Sequence, residues 1–217
     1  MLSNKIKKSK ANNLKLESNI YKSWTLSNRQ LCDLEMILNN SFSPLSNFLN
    51  KSNYDSVLHN MRLETGELWP IPINLDITSK FQNKIKDSDK ITLKDKEGFP
   101  VAILKISDIW EPNLKNEAEL IYNTKNIEHP GVNYLLNRVN KIYISGDILK
   151  IADIRHHDYA YLRHTPFQLK SIFKKNNWEK IVAFQTRNPL HRAHVEMMKK
   201  TIKNLGAKVI ASSLLLE

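Results

Sequence analysis

Cysteine is nearly absent: Cys32 is the only one in 217 residues. One thiol cannot close a disulfide within the chain, and it cannot build a multi-cysteine metal site. That usage fits a reducing compartment and points to the cytoplasm. Cys32 falls in an amphipathic helical pattern, where a buried, inert thiol is expected rather than a nucleophile. No apolar run approaches the length needed to cross a bilayer, so no membrane partner is expected. The N-terminal "MLSNKIKKSKANNLKLES" carries lysines but no apolar centre, which excludes a secretory signal. Residues 1–20 are instead expected to form a mobile basic tail. Glycine is also scarce, at 5 residues, while Lys, Asn and Ile abound, as in AT-rich coding. Part of the net charge of +11 is therefore compositional drift. The remainder suggests an acidic partner, either nucleic acid or small polyanions. There is no RNP-like aromatic stretch and no arginine-rich helix, and the lysines are dispersed, which argues against nucleic acid.

What is present is ordinary globular material, 41% hydrophobic and 25% charged, enough for one large domain or two small ones. Leu31, Leu34, Ile37 and Leu38 recur at helical spacing, and Ser27 with Gln30 forms a capping-box pattern ahead of them. Pro44 ends that helix, and a second covers "NYDSVLHNMRL". From Trp69 to about Tyr143 the character changes. "PINLDIT", "KITLKD" and "PVAILKISDIW" are short β-rich runs, the last two joined as a hairpin through Glu97 and Gly98. "HPGVNYLLNRVNKIYISGDI" adds a short helix and another strand. Thr165, Pro166 and Gln168 then supply an N-cap, a first-turn proline and a capping-box partner. A helix through Leu169, Ile172 and Phe173 follows, then strand "KIVAFQ", helix "PLHRAHVEMMKKTIKNL", Gly206 as a stop, and the apolar "KVIASSLLLE". This is the opening βαβ of a parallel sheet, with a domain boundary near residue 165.

The stretch "AFQTRNPLHRAH" concentrates Gln185, Thr186, Arg187, Asn188, His191 and His194 at one strand-to-helix junction. Asn188 is suited to cap the helix and Pro189 to occupy its first position. A helix N-terminus attracts anions. Arg187 can grip a tetrahedral oxyanion through two parallel hydrogen bonds, and Gln185 offers an amide donor. His191 and His194, three apart, share a face from which phosphates could be reached over the strand ends. Two histidines could also hold a metal, but no third ligand is near in sequence and no HExxH pattern exists, so no metal site is assigned.

"QTRNPLHRAHVE" resembles the sulfate- and nucleotide-binding motif of the ATP sulfurylase (sulfate adenylyltransferase) family. "LSNRQLCDLEMILNNSFSPLSNFL", "MRLETGELWPIPINLDI", "HPGVNYLL" and "LRHTPFQLKSIFKKNNWEKIVAFQTRNP" resemble the same family in the same order. The resemblance implies an α/β fold: a PUA-like β-barrel domain with helices over residues 21–164, then the start of a Rossmann-like nucleotidyltransferase domain over 165–217. It implies the reaction of ATP with sulfate to give adenosine 5′-phosphosulfate and pyrophosphate, in sulfate assimilation. Gln185 and Arg187 would hold sulfate, and Thr186, Arg187 and Asn188 would form the catalytic cluster. All of these except sulfate-only contacts would share the ATP site, which comprises Gln185, Thr186, Arg187, Asn188, His191 and His194. Mg²⁺ would travel with ATP on its phosphates, with no organic cofactor. A homo-oligomer is left open.

Two departures from the family pattern carry expectations of their own. A glycine-bearing turn is replaced near "ILNNSFSPLSNF", where Asn40, Ser41 and Asn47 stand. Beyond Gly206, "AKVIASSLLLE" lacks the "HPLVG"-like segment, the glycine-rich ATP loop and the "GRD"-type motif. By the resemblance, the chain is expected to be truncated or frame-shifted beyond Ala207, and slow or inactive alone. The competing readings are a non-catalytic fragment or associating subunit and, further off, a PUA-like RNA-binding protein.

Overall fold

The structure is a computed structural model that describes residues 12–186 and 189–213. It divides into two compact units, residues 1–158 and 159–217.

The first unit is built on a five-stranded sheet in the order β1-β3-β4-β5-β2. Its strands are β1 (Ser23–Thr25), β2 (Leu75–Ile77), β3 (Lys90–Lys94), β4 (Pro100–Trp110) and β5 (Ile142–Lys150). β1 runs parallel to β3, and the other neighbours are antiparallel. β1 and β2 do not pair among the described residues, so the expected barrel is here an open ladder. The β3–β4 hairpin turns where the sequence placed it. Gly98 takes φ 88°, and Asp95 Oδ1 accepts from the Phe99 N–H at 2.7 Å.

Helix α1 (residues 12–18) corrects the expectation of a free tail over that stretch. Thr92 Oγ1 on β3 donates to the Ser18 carbonyl at 2.7 Å, which ties the helix end to the sheet. Residues 1–11 lie outside the described residues. Helix α2 (Asn28–Leu38) carries the expected capping box, and Leu34 and Ile37 are buried while Leu31 and Leu38 pack at the core's edge. Cys32 lies off that stripe and is exposed, which corrects the buried thiol expected from the sequence. Its pKa is nonetheless raised, by partial desolvation first and then by Asp33 and Glu35.

Asn40 adopts φ 64°, a left-handed conformation that asparagine tolerates better than most residues. The residue that replaces the expected glycine therefore still makes the turn. Helix α3 (Lys51–Asn60) starts earlier than expected because Asn50 caps it, its side chain accepting from the Asn53 N–H. Three further helices follow: α4 (Ser79–Lys84), α5 (Leu114–Tyr122) and α6 (Pro130–Asn137).

Two polar networks cross the core. Gln30 donates from Nε2 to both the carbonyl and Oδ1 of Asp76, each at 2.7 Å. Asp76 Oδ2 accepts from the backbone and side-chain N–H groups of Asn140 at 2.8 and 2.7 Å. Glu117 Oε2 accepts from the phenols of Tyr54 and Tyr143 at 2.9 and 3.0 Å. Paired in this way, buried polar groups avoid the cost of lost hydration.

The second unit begins with a 3₁₀ turn (Ala160–Leu162), followed by α7 (Pro166–Lys175), whose Thr165–Gln168 capping box forms as read from the sequence. β6 (Ile181–Thr186) and β7 (Lys208–Ser213) pair in parallel, joined by α8 (Arg192–Leu205). Gly206 ends α8 at φ 60°. Among residues 159–208, apart from Arg187 and Asn188, Ala207 alone is buried.

Candidate functional site

The candidate site is the turn from β6 into α8. Along β6, Val182, Phe184 and Thr186 are half-buried, whereas Ala183 and Gln185 are exposed. That alternation follows from the two-residue period of a strand. It sends Thr186 to the side of Phe184 and Gln185 to the opposite side. Thr186 and Gln185 thus end the strand facing two ways, a geometry that can serve two ligand groups meeting over the strand tip.

The sequence reading started α8 at Pro189 with Asn188 as its cap. The structure corrects this: the helix starts at Arg192, and the capping position is held by His191, with φ −120° and ψ 173°. Pro189 and Leu190 stay non-helical. Proline's fixed φ suits an extended backbone as well as a first helical turn, so it does not force the helix to begin. Arg187 and Asn188 lie outside the described residues.

The shift moves His191 from inside the helix to its mouth and leaves His194 in the first turn. The two imidazole rings lie 3.8 Å apart between centroids, tilted by 35°. The His191 backbone N–H donates to His194 Nδ1 at 3.5 Å. The His194 ring also meets that of Phe184 at 5.4 Å, so β6 and α8 are joined through an imidazole. No acidic side chain lies in the first turn of α8. The helix mouth therefore offers unpaired N–H groups, two imidazoles and the exposed Arg192 guanidinium, with no carboxylate of that turn to oppose an anion. This is chemistry for phosphate or sulfate. Two stacked rings do not converge on one point as metal ligands must. Among the described residues, no group of three or more His, Cys, Asp or Glu could hold a metal ion.

Two residues here escaped the sequence reading. Arg192 sits at the first helical position, a second cation in the mouth. Its signal was its place between the two histidines, once His191 is taken as the cap. Phe184 had no local signal, because its contact with His194 spans the turn. The largest concavity of this unit, about 640 Å³, runs along α8 from Ala193 to Leu205 and includes none of the candidate residues. No described helix is long and apolar enough to cross a membrane.

Comparison with known proteins bears on this geometry. A family model described as a PUA-like domain matches residues 1–153, and one described as ATP-sulfurylase matches residues 160–217. The chain belongs to the PUA-like family and is homologous to the sulfate adenylyltransferases. A curated sulfate adenylyltransferase of Schizosaccharomyces pombe is 44% identical over 187 residues, covering 85% of this chain and 38% of the relative. That of Saccharomyces cerevisiae is 44% identical, covering 86% of this chain and 36% of the relative. A solved structure described as "Hexameric APS kinase from Thiobacillus denitrificans" aligns with a TM-score of 0.76 at 27% identity, covering 94% of this chain and 36% of that one. The chain thus spans little more than a third of the length of these relatives. The resemblance drawn from the QTRNPLHRAH stretch and its upstream companions is borne out.

Proposed function

We propose that this chain is the sulfate- and ATP-binding portion of a sulfate adenylyltransferase, which joins ATP and sulfate to give adenosine 5′-phosphosulfate and pyrophosphate in sulfate assimilation. The observation that carries the proposal is the ATP-sulfurylase match over residues 160–217, the unit whose β6–α8 turn gathers cations and N–H donors. The parallel β6–α8–β7 unit is then the opening of a Rossmann-like nucleotidyltransferase domain, and the domain boundary falls between residues 158 and 165. The protein works in the cytoplasm and assembles as a homo-oligomer.

The roles follow from the chemistry. A sulfate oxygen attacks the α-phosphorus in line; the new O–P bond forms as the bond to the β-phosphate oxygen breaks, and pyrophosphate leaves. Sulfate is a weak nucleophile and no proton must move in the central step, so catalysis rests on positioning and on charge neutralisation. Gln185 and Arg187 hold sulfate. Thr186, Arg187 and Asn188 surround the transferred group. His191 and His194 at the helix mouth contact ATP phosphates, together with the backbone N–H groups. The amide, hydroxyl and imidazole donors of this turn suit Mg²⁺ entering as the ATP complex, bound by phosphate oxygens rather than by the chain.

Binding of adenosine 5′-phosphosulfate to the purified chain, measured by calorimetry beside Arg187→Ala, tests the reading. Pyrophosphate-dependent ATP formation is followed in the same samples. Binding lost in the variant supports the assignment. A folded chain that binds neither adenosine 5′-phosphosulfate nor MgATP overturns it.

A further inference from the structure

The ring contacts of His194 have a consequence for the proton it carries. Its Nδ1 accepts from the His191 N–H at 3.5 Å. A neutral imidazole has one N–H, so a ring that accepts at Nδ1 keeps its hydrogen on Nε2. Nε2–H is then a donor, which is what a phosphate oxygen needs. The opposite tautomer would set N–H against N–H at the helix cap and turn a lone pair towards the anion.

At 3.5 Å that hydrogen bond is long, and alone it would not hold a ring that rotates about two single bonds. The additional restraint is aromatic. The His191 ring lies 3.8 Å away and the Phe184 ring 5.4 Å away, at 49°. Of the two, Phe184 comes from a different element: it is set by the pleat of β6 and so fixes His194 relative to the strand tip, where Thr186 ends. Histidines that bind ligands are commonly oriented by a carboxylate on the other ring nitrogen. The first turn of α8 offers none.

We infer that Phe184 is a positioning residue, which with the His191 backbone N–H holds His194 in the Nε2–H tautomer and aims it as a phosphate donor. The inference rests on the ATP-site reading for its purpose, but not for its test. Full-length chain labelled with ¹⁵N-histidine is examined at pH 8 by long-range ¹H–¹⁵N correlation, with the His194 signals assigned by their loss in His194→Gln. Nε2–H is expected to dominate in the wild type and in Phe184→Tyr, and Phe184→Leu is expected to show a mixture of tautomers. A wild-type His194 that is mainly Nδ1–H overturns the inference. So does a folded Phe184→Leu variant with an unchanged tautomer, because a merely structural phenylalanine would leave the ring nitrogens as they were. Titration with MgATP separates the underlying reading. Its dissociation constant should rise roughly 3- to 10-fold in Phe184→Leu and recover in Phe184→Tyr. MgATP that moves neither histidine's signals would remove ATP from the site while the tautomer measurement still decides the role of Phe184.

Discussion

Glu117 offers a sharp test of how the first unit is held together. The residue is 6% exposed, and one carboxylate oxygen accepts two phenolic hydrogen bonds, from Tyr54 on α3 and Tyr143 on β5. Burial pushes its carboxyl above the ordinary glutamate value, with the two hydrogen bonds pulling the other way. Burial and the same carboxylate push both tyrosines far up, so they stay protonated and keep donating. Replacing Glu117 with Leu removes the acceptor of two buried donors at once. Each orphaned donor costs about 1–3 kcal/mol, for a total of roughly 2–5 kcal/mol after the relief of burying a charge is set against it. In a domain of this size, that lowers Tm by roughly 5–15 °C. Glu117→Gln keeps an acceptor and sheds the charge, so it should lie within about 1 kcal/mol of wild type.

The two variants also differ in their pH dependence. A carboxyl whose folded value is raised binds its proton more readily folded than unfolded. Its stabilising share is complete below the unfolded value, about 4.3, and is lost as pH rises through the folded value. Glu117→Gln should therefore gain on the wild type as pH is raised from 4 to 8. Thermal melts followed by tryptophan fluorescence suit the measurement, because the Trp110 ring lies 5.8 and 5.7 Å from those of Tyr54 and Tyr143. A Glu117→Leu protein as stable as the wild type, or a Gln variant as damaged as the Leu one, would refute the reasoning.

Other consequences are as direct. A Cβ on Gly146 would lie 1.9 Å from the Lys105 carbonyl oxygen, at the bulge between β4 and β5; Gly146→Ala should cost at least about 3 kcal/mol in urea denaturation, against about 1 kcal/mol for Gly98→Ala, whose Cβ meets open space. Equal losses would show that the ladder yields. Asn40→Gly should be neutral or slightly stabilising and Asn40→Val destabilising by about 1–2 kcal/mol, since φ is 64° there; a tolerated valine would mean that the turn can change hand. Cys32 is exposed, yet its pKa is raised, so iodoacetamide should modify it slowly at pH 7 and its rate should still be climbing above pH 9 by mass spectrometry; a plateau near pH 8 would contradict that.

The parts of this fold that were legible in the sequence are those decided within one turn of chain. Ser27 with Gln30 and Thr165 with Gln168 cap their helices because donor and acceptor lie three residues apart, whatever surrounds them. β1 was missed for the opposite reason: three residues gain their strand conformation by pairing with β3, more than sixty positions away. The misplaced start of α8 belongs to a third kind. Pro189 satisfies two local preferences equally, and only the tertiary position of His191 chooses between them. Six chemistry-bearing residues could be listed from the junction, but not their sides of the strand: Gln185 faces away from Phe184 while Thr186 shares its face. That division matters for the reaction. Sulfate and the α-phosphate must approach from opposite directions for in-line displacement, and a strand tip whose last two side chains diverge can receive one reactant on each side. A turn that pointed all its donors into one hollow would bind either anion but would not set two of them in line.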